Sequence, residues 1–237
     1  MNIVIPFRNT CGEAELQMCV KLINKNMKSL FSSIYIIGDA INFQEENVVN
    51  IPVITQKYSK WLDSSFLLDY YIKNHNESEP FILFNDDFFI TEKIGSHHLY
   101  NYYSGDLSKR ILTTYVIEPK TNVRRLSTYG MNISHFIAHF GDYKNYEVHI
   151  PMIIEYPSVM RKAIEITKEF DCPALKRTYY MYLLEQYELE QSVKIQELPH
   201  DIKYGEPLRI MQYPYFSLTD TEFKAFEKDF KNILQSE

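Results

Sequence analysis

Asn85-Asp86-Asp87 stands directly behind the apolar run Phe81-Ile82-Leu83-Phe84 and directly ahead of a second one, Phe88-Phe89-Ile90. Two adjacent carboxylates beside a buried strand are costly unless something compensates their charge. A hard divalent cation does so, because Mg²⁺ and Mn²⁺ take carboxylate and phosphate oxygens together. The competing account is a solvated turn in which Asn and Asp bond the local backbone. Flanking runs this apolar favour the cation, with Asp87 and Asp86 as its ligands. His149 lies on the alternating stretch Tyr146-Glu147-Val148-His149-Ile150, two residues after Glu147, and ahead of Pro151. On a rigid strand an imidazole serves as metal ligand, general base or nucleophile; a structural histidine is the plainer alternative.

Further candidates follow other apolar runs. Arg8 and Asn9 come just after Ile3-Val4-Ile5, where a guanidinium offers a two-pronged partner for phosphate. Asp39 follows Ile34-Tyr35-Ile36-Ile37-Gly38, the place where acidic residues meet ribose in nucleotide-binding sheets. Lys60, and before it Lys57, open a helical stretch and face phosphate in the same reading. Lys176-Arg177 comes downstream of the histidine. The pair His135 and His139 has half of a zinc spacing, but no glutamate lies between them, so they read as helix surface or core. His97-His98 reads as loop.

Composition removes other classes. The chain has 237 residues, only 7 glycines, 19 tyrosines and 15 phenylalanines. Neither G-x-G-x-x-G nor G-x-x-x-x-G-K-[ST] occurs, which excludes the glycine-cradled dinucleotide and P-loop sites. A net charge of -6 speaks against non-specific nucleic-acid binding. Three cysteines, Cys11, Cys19 and Cys172, contain no C-x-x-C pair and read as reduced thiols. The opening MNIVIPF is too short an apolar run for a leader, and no stretch has the length of a spanning helix. A cytoplasmic protein is the expectation.

These side chains must be positioned by elements that the apolar pattern outlines. Ile3–Ile5 reads as a buried strand ended by Pro6, Glu13–Phe31 as a helix, Ile34–Ile37 as the next strand, and Val48–Ile51 as a third. Trp61–Lys73 reads as a helix before the strand Phe81–Phe84. Strands are expected over Ile111–Ile117 and Tyr146–Ile150. Helices are expected over Asn122–Phe140, Ser158–Phe170 and Ala174–Tyr187. Leu208–Met211 and Tyr213–Phe216 are short strand candidates, and Thr219-x-x-Glu222 caps a last helix bearing Phe223, Phe226 and Phe230. The class is α/β, an open, mostly parallel sheet flanked by helices with a helical C-terminal portion. One domain is expected, its nucleotide-binding half near 1–92 and its acceptor and catalytic half near 93–237.

The order Ile3-Val4-Ile5-Pro6-Phe7-Arg8-Asn9, then Asn85-Asp86-Asp87-Phe88-Phe89, then His149-Ile150-Pro151 and Lys176-Arg177 resembles a GT-A-type nucleotide-sugar transferase. Within that type it is similar to the Stealth group of capsular-polysaccharide sugar-phosphate transferases and to small phage-type glycosyltransferases. The resemblance spans roughly residues 2–180. It implies a GT-A-like fold and a nucleotide-diphospho-sugar donor near Arg8, Asn9, Asp39, Lys60 and Asn85. It also implies Mn²⁺ or Mg²⁺ on Asp87 and Asp86, with His149 completing the metal sphere or acting as base, and Arg177 on phosphate. The chain has Pro6-Phe7-Arg8-Asn9 where the Stealth group carries a tryptophan and an aspartate, which favours glycosyl transfer over transfer of hexose 1-phosphate. The acceptor is a carbohydrate or other hydroxyl compound, with a DNA base near Lys120, Arg124 and Arg125 ranked behind it. The reading from another class is a non-catalytic carbohydrate-binding protein with aromatic platforms.

Overall fold

The computed structural model describes residues 1–10, 12–55, 59–96, 99–119, 122–198, 215–217, 223, 231, 232, 234 and 235. The chain starts as strand β1 (Asn2–Phe7), helix α1 (Ala14–Met27), strands β2 (Ile34–Gly38) and β3 (Val48–Pro52), helix α2 (Lys60–His75) and strand β4 (Phe81–Leu83). Next come β5 (Phe88–Ile90), β6 (Asn101–Tyr103), α3 (Leu107–Ile111), β7 (Tyr115–Ile117), β8 (Arg124–Leu126) and α4 (Thr128–Phe140). Strand β9 (Met152–Ile154), helices α5 (Pro157–Glu169) and α6 (Lys176–Gln186), and strands β10 (Ile195–Glu197) and β11 (Tyr215–Ser217) follow.

The central sheet has the order β3-β2-β1-β4-β9. Its first four strands are parallel, and β9 joins antiparallel to β4. This is the expected open α/β sheet. Successive side chains of a strand point to opposite faces, and the core divides accordingly. Val4, Ile37, Phe81, Leu83 and Ile154 pack with α2, α4, α5 and α6, whereas Ile3, Ile5, Ile34, Ile36 and Ile82 pack with α1. Strands buried on both faces explain the unbroken apolar runs. Among the described residues, no helix is long and apolar enough to cross a membrane.

Several expectations need correction. Strand β1 does not stop at Pro6 but continues to Phe7, paired to Gly38. In a parallel ladder alternate residues bond alternate neighbours, and Val4 faces β4, whose last residue in register is Leu83. Pro6 therefore points its missing N–H past the end of β4, where no ladder bond is lost. Residues 146–150 form no strand; the strand is Met152–Ile154, after Pro151. The alternation there reflects Tyr146 and Ile150 entering different core clusters and Glu147 serving a helix end. Of the strand expected over 111–117 only Tyr115–Ile117 forms one, β7, while Ile111 is the last residue of α3, whose first residue Leu107 is buried. Helix α4 begins only at Thr128, where the Ser127 hydroxyl accepts from the Gly130 N–H at 3.1 Å. The helix expected over 219–234 and the strand expected over 208–211 lie almost wholly outside the described residues. Phe223 is described, and its ring stacks on Phe89 at 5.7 Å.

Two devices set the sheet's ends. Gly38 has φ +135°, and a Cβ there would stand 2.0 Å from the Phe7 carbonyl oxygen, so only glycine lets β1 and β2 close so tightly. Asn101, fully buried, completes the other margin: its Oδ1 accepts from the Ile153 N–H at 2.8 Å and its Nδ2 donates to the Ile153 carbonyl at 3.0 Å. One side chain thus satisfies both backbone groups of Ile153 on the side away from β4. Asn101→Ala leaves that buried pair unsatisfied and is expected to cost about 2 kcal/mol, read as a lower urea midpoint with an unchanged slope.

Candidate active site

At the carboxyl ends of β1 and β4 the sheet opens into a cavity of about 590 Å³. Its floor is the turn Asn85–Asp87, held by a bond from the Phe88 N–H to the Asn85 carbonyl at 3.3 Å. The apolar strands on either side anchor this turn, so both carboxylates are presented from a rigid base. Cys19 lies buried beneath it, and its Sγ is 3.8 Å from the Asn85 carbonyl oxygen. Burial first, and then Asp86 and Asp87, push that thiol's pKa well up, which makes it an inert core group.

One wall comes from β1 and the start of α2. The Arg8 guanidinium lines the cavity and pairs with Asp63 at 2.8 Å. Asp63 is buried in the first turn of α2, so Arg8 is fixed by a desolvated partner and has donors left for an anion. Lys60, the first residue of α2, lines the same wall beside Trp61, with Nζ 5.6 Å from the indole centroid. Ser59 caps this helix through a bond from the Leu62 N–H at 3.2 Å.

The opposite wall is the segment Glu147–His149 and the start of α6. Leu175, which precedes α6, gives no side-chain cap. Glu147 supplies it from a distance: Oε1 accepts from the N–H groups of Arg177 at 2.7 Å and Thr178 at 3.0 Å. Arg177 returns the contact, its Nη1 donating to the carbonyls of Val148 at 2.8 Å and Ile150 at 2.7 Å. Its guanidinium also lies 5.3 Å from the Phe88 ring centroid. This clasp brings His149 to the acidic turn, with Nδ1 3.6 Å from Asp87 Oδ2. His149 itself is 45% exposed, open to an incoming molecule.

The structure thus gathers Arg8, Lys60, Asn85, Asp86, Asp87, His149 and Arg177 around one space, the last as the tie of the histidine's loop. Asn9 and Asp39 do not line it. They hold each other, the Asn9 N–H donating to Asp39 Oδ2 at 2.8 Å, while Asn9 Oδ1 accepts from Gly12 at 3.0 Å. Sequence reasoning passed over Asp63 and Glu147 as a cap, and noted Lys176 only as the neighbour of Arg177. Lys176 lines the cavity and is only 8% exposed. Burial lowers its pKa to about 8, against the pull of Glu147 and with the push of Arg177. Desolvation likewise raises Glu147, opposed by Lys176 and Arg177. No spacing rule marks these residues, because their partners lie far away in the chain.

Among the described residues, no group of three or more His, Cys, Asp and Glu side chains is gathered as a metal site. Two neighbouring carboxylates on an open cavity instead suit the magnesium mode, in which one or two carboxylates and a ligand's phosphates share the ion. His135 and His139 lie elsewhere, the latter packed on Phe170 at 4.8 Å. His97, His98, Lys57 and Lys120 lie outside the described residues.

No protein-family model matches the chain, and no curated protein matches it in sequence. Among solved structures it is similar to 2-C-methyl-D-erythritol 4-phosphate cytidylyltransferase of Francisella tularensis. The two are 12% identical with a TM-score of 0.41, over 89% of this chain and 96% of that one. The α/β architecture stands on the strand order itself.

The clasp has a direct test. Glu147→Ala removes a charged acceptor from two helix N–H groups and is expected to cost about 2–3 kcal/mol. Glu147→Gln, which keeps an acceptor oxygen, is expected to cost less than half as much by chemical denaturation.

Proposed function

We propose that the chain is a metal-dependent glycosyltransferase that moves a sugar from a nucleotide-diphospho-sugar to a hydroxyl acceptor. The observation that carries this reading is the juxtaposition, around one cavity, of the Asp86-Asp87 turn with Arg8, Lys60 and Lys176, and with His149 at its mouth. A purely carbohydrate-binding module has no need for such a collection of opposite charges around one cavity.

The donor's diphosphate lies between the acidic turn and the three cations. Asp86 and Asp87 hold Mn²⁺ or Mg²⁺, which supplies Lewis-acid neutralisation of the charge developing on the leaving nucleotide. Arg8, oriented by Asp63, presents its remaining donors to phosphate oxygens, and Lys60 adds a charge at the positive end of α2. Lys176 supplies a desolvated charge on the opposite wall. The acceptor oxygen attacks the anomeric carbon as that carbon's bond to the diphosphate oxygen breaks. The acceptor's proton passes to Nε2 of His149, while Nδ1 faces Asp87 and is favoured by that carboxylate as the ring becomes cationic. Asn85 contributes chiefly the carbonyl that closes the turn.

Thermal unfolding with UDP, GDP, CDP and their sugars, each with and without Mn²⁺, tests the reading. At least one nucleotide should raise the midpoint in a metal-dependent way, and Asp87→Ala should abolish that increment. No metal-dependent shift with any of them would refute the assignment. Product analysis then separates the transfers: a nucleoside diphosphate marks glycosyl transfer, a nucleoside monophosphate marks hexose 1-phosphate transfer.

Lys176 adds a pH signature. A lysine titrating near 8 is charged below that pH and neutral above it, and an anionic ligand binds the charged form. Nucleotide affinity should therefore weaken as pH rises through about 8 and beyond. Lys176→Arg, which stays protonated throughout, should flatten that profile.

A further inference from the structure

Five large apolar side chains left in solvent fall within one short segment, residues 112–123. Leu112, Ile117 and Val123 are 66%, 64% and 56% exposed, and Tyr115 and Val116 are exposed as well. They belong to the β7–β8 hairpin and the turn that enters it. Among the described strands β7 and β8 pair only with each other; all three residues of β7 and both arginines of β8 are exposed, while Leu126 is half-buried against α4. The same stretch is basic: residues 106–126 hold five Lys and Arg against two acidic residues, in a chain of net charge -6. Arg124 lies 4.4 Å from the Tyr115 ring centroid, and Glu118 pairs with Arg125 at 3.9 Å. The foot of the hairpin is tied to the site. The Ser127 N–H donates to the Thr114 carbonyl at 2.8 Å, and nearby Arg110 and Tyr129 both line the cavity.

We infer that the β7–β8 hairpin, with Leu112, docks the protein on an anionic membrane surface and holds the cavity mouth against it. Aliphatic tips enter the boundary between headgroups and acyl chains, while arginines meet lipid phosphates. Nucleic acid fits less well, because Leu112, Val116, Ile117 and Val123 offer it neither charge nor a stacking plane. A second copy also fits poorly, since a two-fold contact through this hairpin sets arginines against arginines. The acceptor is accordingly lipid-borne, presented at the headgroup level beside Arg110. That statement about the acceptor rests on the transferase reading; the docking does not.

Flotation of the full chain without nucleotide, on phosphatidylcholine vesicles with and without phosphatidylglycerol, tests the docking. The protein should float with the anionic vesicles and stay behind with the neutral ones. Both Val116→Asp/Ile117→Asp and Arg124→Gln/Arg125→Gln should fall to the neutral-vesicle level, with their unfolding midpoints and nucleotide-induced shifts retained. Flotation that ignores phosphatidylglycerol, or survives the aspartate pair, overturns the inference. So does duplex DNA binding in place of flotation, or a dimer that the aspartate pair dissociates. Lost flotation with an intact nucleotide shift removes the membrane role and leaves the transferase; flotation with no nucleotide shift does the reverse.

Discussion

One carboxylate, Glu147, ties the loop that carries His149 to the start of α6. It satisfies two N–H groups at a helix start that has no cap of its own, and Arg177 answers from that helix by binding the carbonyls on either side of His149. Neither contact is local: the partners are about thirty residues apart. The pair is costly to desolvate, and its return is geometric. A segment that is neither helix nor strand is fixed tightly enough to present an imidazole to Asp87. Breaking either contact leaves a buried charge or helix N–H groups without their partner, so this loop has little freedom to move without disturbing α6.

The second constraint is a shortage of glycine. With seven in the whole chain, the backbone cannot form the nest that usually surrounds a phosphate. The glycine spent on the sheet, Gly38, serves a close approach to Phe7 and not a ligand. The cations around the cavity are side chains instead: Arg8 is held by Asp63, Lys176 is set by burial, and Lys60 stands exposed over Trp61. The membrane-facing hairpin follows another logic, because its arginines are exposed and it stands outside both core clusters.

Much of the sheet was legible because parallel strands covered on both faces must be continuously apolar. Ile3–Ile5, Ile34–Ile37 and Phe81–Leu83 lie in such strands, whereas Val48–Ile51, interrupted by Asn50, lies in the half-exposed margin strand β3. The Asn85-Asp86-Asp87 turn was legible for the same reason, since charge between two such runs has few innocent explanations. The alternation in 146–150 misled, because period two also arises when an irregular segment drops residues into two separate cores. Asn9 and Asp39 misled because short polar side chains behind strands serve turns as readily as ligands.

The sequence by itself determined the class of fold, the acidic turn at a strand end and the absence of a glycine phosphate cradle. These follow from local apolarity and residue type, which act over a few positions. The tertiary structure alone decided that Glu147 caps α6, that Asp63 steadies Arg8, and that Lys176 is desolvated at the cavity wall. It also decided which of the strand-end polar groups turn inward to the cavity. Those outcomes depend on dielectric and on partners brought together from distant positions, and neither is encoded at any single point of the chain.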